Sequence, residues 1–303
     1  MSTKNFKGIF AALTTPFVDG EISASHFKEN IKKYNSTDLA GYVILGSTGE
    51  AVYLTDEESF MLVKIAKETA SSDKKIIVGT ARESTRLTIE FTNHMSTLNI
   101  DAALIRTPSY FKSQLTSEAL KNHYFTIADN VKIPILVYNI PQQTGVSIDA
   151  SLVCELARHS NIVGIKDSSG NLAFLSEVIP NLPPGFSFLL GAGSLIFPGF
   201  CLGASGAILA IADAVPDQCI NIYSLFCQNK MEQAKHLQMD LVPLNRLLTQ
   251  TYGIPALKYA MDCLGFYGGD PRSPLLPLND EGRKEVRTIL EKLSHLVKTK
   301  KNI

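Results

Sequence analysis

Eight short apolar runs punctuate the chain, each bounded by Gly, Pro, Ser or Asn. They are GIFAALTTPF (8–17), GYVILGS (41–47), KIIVGTA (75–81), DAALIRTP (101–108), IPILVYNI (133–140), IVGIKDS (162–168), FSFLLGAG (186–193) and ASGAILA (204–210). Each is continuously apolar rather than alternating, as expected of parallel strands covered on both faces. Between the runs, apolar residues recur every three or four positions. In TDEESFMLVKIAKETAS (55–71), Thr55 and Glu58 form a capping-box pattern. Phe60, Val63, Ala66 and Lys67 then follow at helical spacing, and Leu62 and Ile65 widen the stripe. Residues 84–98 start at Ser84 and carry Leu87, Ile89, Phe91, Met95 and Leu98. Residues 116–130, 148–158 and 216–230 behave alike. Eight strand–helix alternations predict an α/β fold, a (β/α)8 TIM barrel.

An open doubly wound sheet would carry a glycine-rich phosphate loop after its first strand, and TTPFVDGE offers none. After residue 230 the strand signal stops. Residues 231–250, 254–265 and 280–298 have helical spacing, which predicts a barrel over 1–230 and a C-terminal helical extension over 231–303.

Composition narrows the classes. With 45% hydrophobic and 19% charged residues, the 303-residue chain is ordinary globular material. Twenty-nine basic residues balance 29 acidic ones, so nothing points to nucleic acid or an anionic membrane. The basic stretch KTKK (298–301) reads as a solvated tail. The five cysteines form no CxxC pair and are expected to be reduced core residues. The six histidines show no metal-ligand spacing, and neither a metal nor a cofactor is expected. The N-terminal MSTKNFKGIF lacks the apolar core of a signal peptide, and no apolar stretch reaches membrane-spanning length. A cytoplasmic enzyme is the expectation.

Barrel enzymes draw their reactive groups from strand C-termini and the loops beyond them. Those ends hold Gly46-Ser47-Thr48-Gly49-Glu50, Thr107-Pro108-Ser109-Tyr110, Tyr138-Asn139-Ile140-Pro141 and Lys166-Asp167-Ser168. An unpaired lysine in a buried strand end is expected to shed its proton, and a neutral amine attacks carbonyl carbons. The resulting iminium draws electrons from the adjacent carbon, so a carbon–carbon bond there can form or break. A tyrosine can shuttle the protons. Ser47 and Thr48, with backbone amides that flanking Gly46 and Gly49 leave accessible, can hold a carboxylate. Together these residues predict a 2-oxo acid with its carbonyl at Lys166.

The motifs GSTGE (46–50), YNIPxxTG (138–145) and GIKDSSG (164–170), at these separations, resemble the dihydrodipicolinate synthase / N-acetylneuraminate lyase family over essentially the whole chain. The resemblance implies a pyruvate Schiff base on Lys166, with Tyr138 as the proton-transfer residue. It implies that Ser47 and Thr48 hold the pyruvate carboxylate and that Ile208 lines the methyl group. Tyr110 would complete a proton relay in a neighbouring subunit's site, and homotetramers built as dimers of dimers would be usual.

Two departures narrow the choice of member. The synthases usually carry an arginine before TG, where this chain has Gln143; an amide does not replace a bidentate cation. The sialic acid lyases carry an Asp-Glu pair after strand 7, where this chain reads Gly191-Ala192-Gly193-Ser194. The stretch YGIPALKYAMDCLGFYGGDPRSPL (252–275), expected to lie outside the pocket, looks most like 4-hydroxy-2-oxoglutarate aldolases, which release pyruvate and glyoxylate. That aldolase is the favoured reading. The synthase, the sialic acid lyase and sugar-acid aldolases or dehydratases of the same family are its alternatives.

Plainer readings stand beside these. Lys166 could be ion-paired with Asp167 or Glu50, and Tyr138 could be a core tyrosine. Ser47 and Thr48 could merely cap a turn, and Tyr110 could pack at a subunit contact. Arg106 is a candidate for a second substrate carboxylate, or else makes an ion pair at the barrel end. Glu50 is expected to order its loop, and His123 and His159 to face solvent. A catalytically silent 2-oxo-acid-binding barrel is the rival of another class.

Overall fold

The computed structural model describes residues 5–294, so Lys298–Lys301 and the last residues of the helix expected over 280–298 lie outside them. The eight runs form β1 (Gly8–Ala12), β2 (Gly41–Ile44), β3 (Lys75–Gly79), β4 (Ala102–Arg106), β5 (Ile135–Asn139), β6 (Ile162–Asp167), β7 (Ser187–Leu190) and β8 (Gly206–Leu209). Each pairs in parallel with its neighbours, and β1 closes the ring against both β2 and β8. The fold is a (β/α)8 barrel. Its first strand is shorter than the run 8–17: the chain leaves the barrel after Ala12, and Phe17–Val18 pairs antiparallel with Glu21–Ile22 as a small hairpin.

The helices after successive strands are α1 (Ala24–Asn35), α2 (Asp56–Thr69), α3 (Thr85–Ser96), α4 (Ser117–Asn130), α5 (Ala150–Leu156), α6 (Leu172–Val178), α7 (Ile196–Cys201) and α8 (Pro216–Cys227). The capping box is present on α2: Thr55 Oγ1 accepts from Glu58 N–H, and Glu58 accepts from Thr55 N–H. On α3, by contrast, Leu87 faces outward, and the buried face is built from Thr88, Phe91, Thr92 and Met95. Those threonines are tolerated because Thr92 Oγ1 bonds Thr80 Oγ1 at 2.7 Å and Thr88 Oγ1 donates to Ser84 O.

The strands look uniformly apolar in sequence, but their side chains serve two cores. Phe10, Val43, Ile77, Leu104, Leu136, Leu189 and Ile208 fill the barrel interior. Their neighbours along each strand, such as Ile9, Ala11, Ile105 and Val137, pack outward against the helices. Successive side chains point to opposite faces. The same parity turns Tyr138 inward with Leu136, and Arg106 inward with Leu104.

Beyond the barrel come α9 (Met231–Arg246), a wide turn over Leu247–Thr251 closed by Tyr252 N–H on Leu247 O, α10 (Ile254–Cys263) and α11 (Asp280–Lys292). Leu244, Leu257 and Val286 join the core that the barrel helices share. Among the described residues no helix is long and apolar enough to cross a membrane.

The expectation of core cysteines is corrected. Only Cys219 is buried; Cys154 is half-buried, and Cys201, Cys227 and Cys263 are exposed. The three exposed ones each end a helix, where the chain turns away from the packed face.

Candidate active site

A cavity of about 650 Å³ opens at the C-terminal mouth of the barrel. Ser47, Thr48, Arg106, Tyr138, Gln143, Lys166 and Ile208 all line it. They meet there because Arg106, Tyr138 and Lys166 occupy one rung of the sheet: Arg106 pairs with Tyr138 across β4 and β5, and Tyr138 with Lys166 across β5 and β6. Lys166 is 4% exposed, and its Nζ lies 4.3 Å from the centre of the Tyr138 ring. Ile208, fully buried, forms part of the floor.

The two carboxylates weighed as ion-pair partners of Lys166 are engaged elsewhere. Asp167 follows Lys166 on the strand and therefore points to the other side. There it accepts from Asn139 Nδ2 and Ser169 Oγ, both at 2.7 Å. Burial pushes its carboxyl pKa upward against these bonds. Glu50 pairs with Lys258 at 2.7 Å. The ion-paired reading of Lys166 is thereby set aside.

The turn Gly46–Glu50 is closed by Gly49 N–H on Gly46 O and Glu50 N–H on Ser47 O. Ser47 is exposed at the cavity wall and Thr48 half-buried. Leu45 and Glu50 flank the turn in the left-handed region, at φ 60° and 56°. Such strain in non-glycine residues persists only where surroundings enforce it. One enforcing contact is at Gly79, where an added Cβ would lie 2.0 Å from Leu45 O. Gly49, one of the two glycines expected to bring the turn's backbone close to the substrate as part of its binding site, is not itself among the cavity residues. Thr15 Oγ1 donates to its carbonyl at 2.7 Å, and a Cβ there would come within 3.0 Å of Leu13 O.

Arg106 lines the cavity, yet its Nη1 is paired with Glu83 Oε1 at 2.9 Å and also donates to Thr107 O. Glu83 further accepts from the amides of Ser109 and Tyr110. Partial burial raises the Glu83 pKa, but the bonds from Ser109, Arg106 and Tyr110 outweigh it and hold it at about 2. Gln143 is exposed at the cavity mouth, on the one-turn helix Pro141–Thr144. Tyr110 is not among the cavity residues. It is 79% exposed and packs edge-on against Phe111, 71% exposed, with ring centres 4.9 Å apart.

Several lining residues were not anticipated. The segment 252–275, expected outside the pocket, contributes Tyr252, Gly253, Ile254, Pro255, Leu257 and Leu275 to its wall. Helix α10 lies across the barrel mouth, an arrangement no local spacing encodes. Asn245 on α9 is also there, buried, with its Oδ1 unpartnered by protein. The signal that could have exposed this region is Lys258, a lysine inside the apolar helical run Ala256–Met261. His123 is likewise buried rather than solvent-facing: α4 turns it inward, its Nδ1 lies 2.9 Å from Thr85 Oγ1, and burial lowers its pKa to about 4. His159 is half-buried and pairs with Asp129.

Comparison with known proteins agrees with this fold. The model of the Dihydrodipicolinate synthetase family matches residues 5–293. The 4-hydroxy-tetrahydrodipicolinate synthase of Methanothrix thermoacetophila is 34% identical over 294 residues, covering 96% of this chain and 98% of that one. The synthase of Archaeoglobus fulgidus is 35% identical over 290 residues, covering 95% and 98%. Among solved structures, the chloride-inhibited dihydrodipicolinate synthase of Acinetobacter baumannii in complex with pyruvate superposes with a TM-score of 0.90. It is 31% identical, with 95% of this chain and 99% of that chain covered.

Proposed function

We propose, from the premise that the chain belongs to the Dihydrodipicolinate synthetase family and is a pyruvate-dependent lyase of the aldolase type, that Lys166 forms the imine with pyruvate. The observation that carries this is the rung shared by Lys166 and Tyr138, beside a wall of Ser47 and Thr48 and, among the described residues, with no carboxylate paired to the amine. The lysine amine adds to C2 of pyruvate, and water leaves the carbinolamine to give an iminium. Loss of a methyl proton yields an enamine. Its terminal carbon adds to an aldehyde carbonyl, and the new alkoxide takes a proton. Hydrolysis then frees the lysine, and cleavage runs through the same steps in reverse. Tyr138 is positioned to carry the protons, and Ser47 and Thr48 to receive the carboxylate. The imine itself serves as the electron sink, so the proposed reaction calls for no cofactor.

The names of the relatives support aspartate semialdehyde as the aldehyde and the synthase reaction as the first reading of the finer activity. In that case the bound amino group of the adduct displaces Lys166 by attacking the imine carbon, closing the ring. Gln143 favours a second reading. It sets a neutral amide at the mouth, where a cation would grip an acid group bidentately, and so weighs against the synthase; the likeness of 252–275 to 4-hydroxy-2-oxoglutarate aldolases then supports cleavage to pyruvate and glyoxylate. The exposed Tyr110–Phe111 pair supports assembly into a dimer of dimers, with Tyr110 reaching a neighbouring chain.

Intact mass after pyruvate and borohydride, followed by peptide mapping, tests the chemistry. A reduced pyruvyl group on Lys166 is expected; an unmodified, folded protein would overturn the reading in favour of a silent binding barrel. Turnover with aspartate semialdehyde against glyoxylate then chooses between the two finer readings.

A further inference from the structure

We propose that the buried Lys258–Glu50 pair is a positioning device for the carboxylate turn, through which the C-terminal segment sets where Ser47 and Thr48 meet the substrate. The inference rests on the reading that pyruvate binds at Lys166. Glu50 is the last residue of the turn, 1% exposed, and held at φ 56°. Both its oxygens face groups of the C-terminal segment, one as an ion pair and one as a hydrogen-bond acceptor. Lys258 Nζ, 0% exposed, lies 2.7 Å from Oε1, and Arg272 N–H donates to Oε2 at 2.8 Å.

Each of these partners is itself anchored. Lys258 Nζ also donates to Asp270 O at 3.1 Å and sits 4.5 Å from the centre of the Phe17 ring. The Arg272 guanidinium clasps both oxygens of Glu58 at 2.8 and 2.6 Å and donates to Tyr53 O at 2.9 Å. The turn is therefore gripped at its end, and the helix that follows it is gripped as well. Helix α10 meanwhile sends Ile254 and Leu257 to the cavity wall, so one helix both encloses the cavity and holds its carboxylate wall in place.

A charge pair this deep is a poor way to gain stability. Desolvation opposes it, and burial depresses the lysine's pKa even with Glu50 beside it. Apolar side chains of similar volume would pack there as well. What they would lack is a close charge contact to a strained residue two positions from Thr48. The pair's distinctive contribution is thus geometric: it fixes the turn that meets the ground-state carboxylate, and Lys258 acts as a positioning residue with no contact to the reacting atoms.

The test is the double variant Glu50→Gln/Lys258→Met, which removes the pair without stranding a buried charge. Pyruvate trapping and steady-state kinetics are compared with wild type and with Leu152→Ala, a core change on α5 that serves as a stability control. In the double variant KM for pyruvate should rise about tenfold or more, while kcat at saturation moves far less and borohydride still labels Lys166. Leu152→Ala should lower Tm with KM unchanged. A double variant whose KM stays within about twofold of wild type, with wild type still labelled at Lys166, would overturn the positioning role and leave the Schiff-base reading standing. An unlabelled wild type would overturn both. Should the double variant not fold, Glu50→Gln alone keeps one acceptor oxygen, puts an amide NH2 in place of the other and leaves Lys258 without its counter-charge; it is expected to raise KM selectively, by about threefold, and an unchanged KM there overturns the role.

Discussion

Lys166 and Lys258 are both almost completely buried, at 4% and 0% exposure, and both rest against an aromatic ring. Their surroundings differ in one respect, on which the roles proposed for them rest. Lys258 has a carboxylate at 2.7 Å, a carbonyl oxygen at 3.1 Å and no place on the cavity wall. Lys166 faces the cavity, and the carboxylates nearest to it in sequence are bound to other groups. Burial alone therefore does not mark a reactive lysine. The proposed mark is burial beside open volume with no carboxylate in contact, because an amine held between a carboxylate and a carbonyl oxygen, away from the cavity, has no room to meet a substrate carbonyl.

The largest effect that would break this contrast is at the first lysine. Lys166→Met should abolish the reduced pyruvyl adduct and lower turnover on the order of 10^4-fold or more. An adduct mapped instead to Lys258 would reverse the two roles. Next comes Tyr138→Phe, which keeps the ring beside Lys166 and removes the hydroxyl. It should lower kcat by about 10^2- to 10^4-fold with a small change in KM for pyruvate; an unchanged kcat would take the proton shuttle away from Tyr138.

At the second lysine the expected loss is in stability. Lys258→Met strands Glu50 as a buried charge and should cost about 3–5 kcal/mol in denaturant unfolding, most of it recovered by adding Glu50→Gln. Equal losses in the single and double variants would show that the pair is held by packing, not by charge. Arg106 offers a second cation at the cavity, beside Lys166, already partnered by Glu83. If it exchanges Glu83 for a substrate acid group, Arg106→Leu should raise KM for a diacid substrate by about tenfold more than for pyruvate. Equal effects would leave it as a structural ion pair.

The smallest effect at neutral pH concerns His123. Burial holds its pKa at about 4, below the ordinary 6.5, so its folded form is neutral. The stability this group contributes is present above pH 6.5 and lost as pH falls through about 4. His123→Gln should flatten the fall in stability over that window, measured by unfolding at stepped pH. An identical pH profile would show that protonation of His123 is not what weakens the fold there.

The barrel and its reactive ends were legible because they depend on local pattern. The apolar runs, the Thr55–Glu58 cap and the Tyr138 and Lys166 motifs all lie within a few residues of the features that announce them. Other features were not, because they depend on contacts between distant segments. The outward turn of Leu87 follows from Thr80 meeting Thr92. The burial of His123 follows from α4 packing against α3. The segment 252–275 joins the cavity because α10 folds back over the mouth, bringing Lys258 to a glutamate 208 positions earlier in the chain.

By itself, the sequence determined that eight covered parallel strands would close with an amine, a phenol and a hydroxyl-bearing turn at one end. Period and strand parity are properties of the local chain, and they dictate which side each residue faces. Only the tertiary structure decided which buried charges would be partnered. It gave Glu50 to Lys258 and Glu83 to Arg106, and left Lys166 open to the cavity. Pairing of that kind depends on distances between elements far apart in the chain, and burial makes each such distance consequential.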